Sequence, residues 1–136
     1  MKYPGTSQKP YIRHEDLESG IIYPRMQGKH VFKSASTRMP QVVREALTHN
    51  NLTVDDVDMF LFHQANLRIN EMVLKQLGAP ASKTYNNIMK YGNCSAASAP
   101  IVLDECIRSG KVKPGDIVCM TGFGAGYTWG SALMRY

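Results

Sequence analysis

The chain lacks any long apolar run. A helix needs about 20 consecutive apolar residues to cross a bilayer, and nothing in the 136 residues approaches that, so no membrane span is expected. The start, Met1-Lys2-Tyr3-Pro4-Gly5, lacks the apolar stretch of a signal peptide. Cysteine is scarce. Cys94, Cys106 and Cys119 are odd in number and form no Cys-x-x-Cys pair, which argues against a disulfide framework and a zinc site. The four histidines are scattered along the chain. Free thiols in a reducing, cytoplasmic setting are the expectation. Lys and Arg number 16 against 11 Asp and Glu, a net charge of +5, yet no block of like charge occurs. Without such a block, nucleic acid is not an expected partner. The mild excess suits an acidic partner as well as it suits a plain solvated surface. With 43% hydrophobic and 20% charged residues, the composition fits one globular domain able to bury a core.

Residues 1–28 carry Pro, Gly, Ser and charge without periodicity and read as an extended arm or loop. Residues 31–49 read as a helix on the stripe Val42, Val43, Ala46 and Leu47. Pro40 should start, kink or divide it, and Asn50-Asn51 should end it. Thr53 with Asp55 and Asp56 can cap a short turn. Met59 to Phe62 is a short apolar run with the look of a buried strand. Residues 65–77 form an amphipathic helix, with Leu67, Val73, Leu74 and Leu77 on one side and Arg68, Glu71 and Lys75 on the other. Gly78 and Pro80 stop it. Lys83-Thr84-Tyr85 is a candidate short strand. Residues 96–109 should be helical, opened by Ser95 or a neighbour and closed by Gly110. After a turn at Lys113-Pro114-Gly115-Asp116, strands are expected at Ile117–Thr121 and Thr128–Met134, joined by a glycine loop. Alternation of helix and strand implies an α/β layered fold.

Three segments carry residues suited to chemistry. The first, Phe60-Leu61-Phe62-His63-Gln64-Ala65-Asn66-Leu67-Arg68, delivers a histidine at the end of a strand. That is where α/β folds place their sites. A neutral imidazole there can donate to a developing oxyanion, or it can simply pack or cap the next helix. The second, Tyr91-Gly92-Asn93-Cys94-Ser95-Ala96-Ala97-Ser98, presents an asparagine before a helix of small residues. Asn93 can serve a turn, or it can supply an amide donor that never loses its proton. Together, His63 and Asn93 would aim two donors at one carbonyl oxygen, as a thioester enolate requires. The third, Met120-Thr121-Gly122-Phe123-Gly124-Ala125-Gly126-Tyr127-Thr128-Trp129-Gly130, is not a P-loop, because no Gly-Lys-Ser/Thr follows, nor a dinucleotide fingerprint, because a strand and not a helix follows it. It can be a plain hairpin turn or a wall of backbone N–H groups close to a reacting atom. None of the cysteines reads as a nucleophile: Cys106 and Cys119 fall in core positions, and Cys94 directly follows Asn93.

The wording, order and spacing of these segments resemble the C-terminal half of β-ketoacyl-(acyl-carrier-protein) synthase III, a condensing enzyme of the thiolase superfamily. The likeness runs from Met26-Gln27-Gly28-Lys29-His30-Val31-Phe32-Lys33 to Tyr136, and residues 1–25 are similar to the segment before it. It implies a thiolase-like α/β fold of layered helices and a mixed sheet, with a domain over 29–136. It further implies decarboxylative condensation of an acyl-CoA primer with malonyl-carrier protein in fatty acid synthesis. In that family an N-terminal half, not seen in this sequence, brings the nucleophilic cysteine. By resemblance His63 and Asn93 are the donors that stabilise the malonyl thioester carbonyl. Asn66 and Gly28 lie along the pantetheine tunnel, Phe123 is an aromatic gate, and Ala125 supplies a backbone oxyanion-hole N–H. Lys33 and Arg68 are basic positions for docking acyl carrier protein. No cofactor or metal is implied; coenzyme A and phosphopantetheine thioesters are substrates, and a homodimer is expected. Ala125 replaces the usual glycine, and a positive φ there would be strained. Cys94 stands where threonine is common. Three accounts of the missing half follow: a portion of a longer synthase, a split enzyme whose cysteine comes from another chain, or a non-catalytic module that binds carrier protein or coenzyme A or that dimerises. A thiolase-like acyltransferase that makes C–O bonds is the further alternative.

Overall fold

Strand β1, Met59–Phe62, is buried along its whole length. Side chains on a strand alternate between faces, so β1 feeds two cores. Phe60 and Phe62 pack with Ala35, Met39, Val43, Leu47, Val73, Leu77 and Cys119 on one side. Met59 and Leu61 pack with Val102, Cys106, Val112 and Val118 on the other. A strand covered on both faces reads as a continuous apolar run, and Met-Phe-Leu-Phe is one.

The computed structural model describes residues 12–23 and 26–136. A mixed three-stranded sheet has the order β1-β2-β3. Strand β2, Ile117–Gly124, runs parallel to β1, with Phe62 beside Thr121. Strand β3, Thr128–Arg135, returns antiparallel, with Phe123 beside Trp129. Helix α2, Gly28–His49, and helix α3, Leu67–Leu77, cover the face that holds Phe60 and Phe62. Helix α5, Ser98–Arg108, covers the opposite face through Val102 and Cys106. The result is the layered helix, mixed sheet and helix architecture expected of the chain. Cys106 and Cys119 are buried in it.

Several local expectations change. The arm expected over residues 1–28 falls partly outside the described residues; inside them His14–Glu18 forms a short helix, α1. Helix α2 begins at Gly28 and passes through Pro40 undivided. Proline removes one helical hydrogen bond, the donor to the Ser36 carbonyl, at a cost of about 3 kcal/mol. Burying Ala35, Met39, Val43 and Leu47 on one stripe offsets that cost. Lys83-Thr84-Tyr85 makes no strand. A single 3-10 turn spans Ala81–Lys83, and Thr84 forms one parallel bridge to Phe60, with its Oγ1 donating to the Phe60 carbonyl at 2.8 Å. A four-residue helix, α4, Ile88–Tyr91, follows where none was foreseen. A 3-10 turn at Ser95–Ala97 leads into α5. Finally, β2 runs through Gly122-Phe123-Gly124, so the glycine loop shrinks to a tight hairpin turn at 125–127. The left-handed residues there are Gly126 (φ 79°) and Tyr127 (φ 56°), not Ala125, so the strain expected at Ala125 does not arise.

Helix α3 starts at Leu67 rather than at 65 because Asn66 caps it, its Oδ1 accepting the Arg68 N–H at 3.0 Å. Other expectations stand. Gly78 ends α3 at φ 80°. Asp56 caps the turn at Thr53, accepting from its N–H at 2.7 Å and from its Oγ1 at 2.6 Å.

Candidate active site

His63 is the first residue beyond β1, and the sheet still holds it: its N–H donates to the Thr121 carbonyl at 2.9 Å. The ring is half-buried. Burial lowers its pKa below the ordinary 6.5, so the imidazole is neutral at neutral pH. Nδ1 lies 2.6 Å from Ser98 Oγ, in the first turn of α5. The same Oγ accepts the Gln64 N–H at 3.0 Å. Nε2 has no protein partner among the described residues and stays available.

Asn93 arrives by a different route. Gln64, only 1% exposed, holds the approach. Its Oε1 accepts the N–H groups of Asn87 (3.0 Å) and Ile88 (3.2 Å), and its Nε2 donates to the Phe62 carbonyl (2.9 Å) and Asn86 Oδ1 (3.2 Å). Glu105 on α5 then takes three bonds from the next residues: Asn87 Nδ2 at 2.8 Å, Lys90 Nζ at 2.7 Å and Tyr91 Oη at 2.7 Å. These donors, Lys90 first, hold the Glu105 carboxyl down at about 2, and Glu105 in turn raises Lys90. The chain turns at Gly92, and Asn93 Oδ1 accepts the Ser95 N–H at 2.8 Å. That bond fixes the amide rotamer and leaves Nδ2 as an unused donor.

The two donors meet in one cleft of about 410 Å³, whose wall includes His63, Asn93, Phe123, Ala125, Gly126 and Tyr127. A second cleft of about 470 Å³ also reaches His63 and Phe123, and is lined by the small residues Ala96 and Ala99 and the strand residues Gly122 and Trp129. Phe123 therefore borders both clefts, and both share the histidine. It stacks on Trp129 (centroids 6.1 Å apart) and meets Tyr127 edge-on at 5.6 Å. Asn66 lines a small apolar pocket beneath His63 together with Asn70 and Phe123.

Other expected residues lie apart. Gly28 is exposed at the start of α2 and lines neither cleft. Lys33 and Arg68 are exposed on α2 and α3, and neither has an ion-pair partner among the described residues. Cys94 is half-buried, its Sγ 3.5 Å from the Tyr91 carbonyl. No group of three or more His, Cys, Asp or Glu side chains converges among the described residues. No described helix is long and apolar enough to cross a membrane. Sequence reasoning missed Gln64, Ser98 and Glu105. Gln64 and Ser98 lie inside the motif segments and Glu105 outside them, and none carries a signal of its own, because their roles depend on contacts 14 to 35 residues away.

The sequence profile of the family described as 3-oxoacyl-[acyl-carrier-protein (ACP)] synthase III C terminal matches residues 47–136. The chain belongs to this family. It is 44% identical to the beta-ketoacyl-[acyl-carrier-protein] synthase III of Trichormus variabilis, an alignment covering all of this chain and 41% of the relative. Among solved structures, the 3-oxoacyl-[acyl-carrier-protein] synthase III of Aquifex aeolicus superposes with a TM-score of 0.83 at 46% identity, over 85% of this chain and 37% of that one. The enzyme of Pseudomonas aeruginosa gives a TM-score of 0.83 at 38% identity, over 92% and 39%. This synthase III domain thus spans about two-fifths of the length of the curated relatives it matches.

Proposed function

We propose that this synthase III domain is the malonyl-activating part of a 3-oxoacyl-(acyl-carrier-protein) synthase III that acts in fatty acid synthesis. The observation that carries the reading is the convergence of His63 and Asn93 on one cleft, each with a donor unused by the protein. A malonyl thioester bound there places its carbonyl oxygen between His63 Nε2 and Asn93 Nδ2. As the bond to the carboxylate breaks, its electron pair flows into the thioester and negative charge collects on that oxygen. CO2 leaves. Two fixed donors in a partly desolvated cleft stabilise the enolate without reorganising. A neutral imidazole suits this role, and burial keeps His63 neutral.

In the complete enzyme the enolate carbon attacks an acyl-cysteine thioester and expels the cysteine thiolate. We assign that cysteine to an N-terminal half, because none of Cys94, Cys106 and Cys119 faces the cleft as a nucleophile. Without an acyl-enzyme, the enolate takes up a proton and leaves an acetyl thioester. The Ala125 N–H serves as a second oxyanion donor, Phe123 as the gate between the clefts, and Asn66 and Gly28 as contacts for the pantetheine arm. Lys33 and Arg68 form an exposed basic pair for the acidic carrier protein. The domain occupies 29–136, and residues 1–28 lead into it from the rest of a cytoplasmic, homodimeric synthase. The test is CO2 release from malonyl-carrier protein by this chain. Losing one oxyanion donor costs about 10²–10³-fold, so His63→Ala should slow release by about that factor; release unchanged in that variant overturns the role.

A further inference from the structure

We propose that Ser98 is a positioning residue that sets the tautomer of His63, placing its proton on Nε2. The argument is a count of donors around one buried hydroxyl. Ser98 is 2% exposed, and its Oγ has two partners among the described residues: the Gln64 N–H at 3.0 Å and His63 Nδ1 at 2.6 Å. A backbone amide can only donate, so the Ser98 oxygen accepts on that side. The hydroxyl also carries a proton of its own, and a buried O–H needs an acceptor. His63 Nδ1 is the acceptor in reach. Once Nδ1 accepts, a neutral imidazole must hold its single proton on Nε2.

The opposite tautomer would make Ser98 Oγ accept twice and strand its hydroxyl proton inside the protein. Gln64 keeps the geometry from relaxing. Its N–H is aimed at Ser98, and its side chain is anchored at both ends, to Phe62 and Asn86 and to Asn87 and Ile88. One glutamine thus fixes the serine from the side of β1 while holding the segment that leads to Asn93. Burial adds to the effect by keeping the ring uncharged, since an imidazolium would carry a proton on both nitrogens.

This inference rests on the reading of His63 as an oxyanion donor for its catalytic meaning, because only Nε2–H can donate into the cleft. The tautomer itself is a property of the folded chain and needs no substrate. It is measured by 15N NMR of the imidazole at a pH well above the ordinary histidine range. The expected spectrum has a pyridine-like Nδ1 and a pyrrole-like Nε2. In Ser98→Ala the ratio of Nε2–H to Nδ1–H should fall about tenfold, equivalent to about 1.4 kcal/mol, and Ser98→Thr, which keeps the hydroxyl, should restore it. A pyrrole-like Nδ1 in the unaltered chain overturns the proposal. So does an unchanged ratio in Ser98→Ala. Should that variant not fold, the unaltered spectrum decides alone. The expected spectrum combined with CO2 release that survives His63→Ala would sink the catalytic reading and leave the tautomer assignment standing.

Discussion

Replacing Gln64 with leucine keeps the volume and removes the polar clamp. The side chain makes four hydrogen bonds at 2.9 to 3.2 Å from a position 1% exposed. The losses are unequal. Asn86 Oδ1 keeps its bond from Asn70 Nδ2 at 2.8 Å, and Ile88 is half-buried, so its N–H can find water. The Asn87 N–H and the Phe62 carbonyl belong to residues 3% and 0% exposed and have no such recourse. Each stranded buried group costs about 1–3 kcal/mol, and the added apolar burial returns about 1 kcal/mol. The expected net loss is about 1–5 kcal/mol. With a mid-range urea m-value of about 2 kcal/mol/M, the midpoint should fall by about 0.5–2.5 M. Urea unfolding followed by far-UV circular dichroism measures it, with Gln41→Leu as the control. Gln41 is exposed on α2 and bonds only Arg38 and Glu45 nearby, so it should change stability by less than about 0.5 kcal/mol. Amide exchange should also rise across residues 86–93 in Gln64→Leu, since the clamp holds that segment. A midpoint shift no larger than the control's would refute the reasoning.

Three further outcomes follow from the same contacts. Glu105 is held at about 2, below its ordinary 4.5; its folded pKa is depressed, so its contribution is full above 4.5 and is lost as pH falls toward 2. Amide protection of residues 87–93 should weaken over that window, and Glu105→Gln should remove the pH dependence. His63 has its folded pKa lowered from 6.5 by burial, so the unfolded chain binds a proton more readily. Stability should be unaffected by this group above 6.5 and should decline as pH falls below it, a slope missing in His63→Gln under equilibrium denaturation. Reversing Lys33 and Arg68 to glutamate should weaken carrier-protein binding roughly tenfold each at low salt, and less as salt rises, in titration calorimetry; binding as tight as that of the unaltered chain would remove them from the docking surface.

The strands and α3 were legible because short-range rules decide them. Met59–Phe62 is apolar throughout because both faces are covered, and Gly78 marks the end of α3 by capping chemistry. The candidate donors were legible for the same reason, since His63 ends a strand and Asn93 precedes a helix. What escaped depends on distant partners. Pro40 stays inside α2 because the buried stripe around it outweighs one lost hydrogen bond. The glycine segment became a strand because Gly122 and Phe123 pair with Gly130 and Trp129. Ser98 and Gln64 look like ordinary polar residues in sequence, and only the packing of α5 against the end of β1 gives them work.

The central claim is that His63 and Asn93 act on one oxygen. It is tested most directly by a double-mutant cycle on CO2 release from malonyl-carrier protein, comparing this chain with His63→Ala, Asn93→Ala and the pair together. The account predicts release from the unaltered chain, loss of about 10²–10³-fold in each single variant, and a double variant little worse than either. Independent, multiplying losses would mean that the two side chains serve different atoms. No release from the unaltered chain would contradict the claim that this domain assembles the malonyl-activating site by itself.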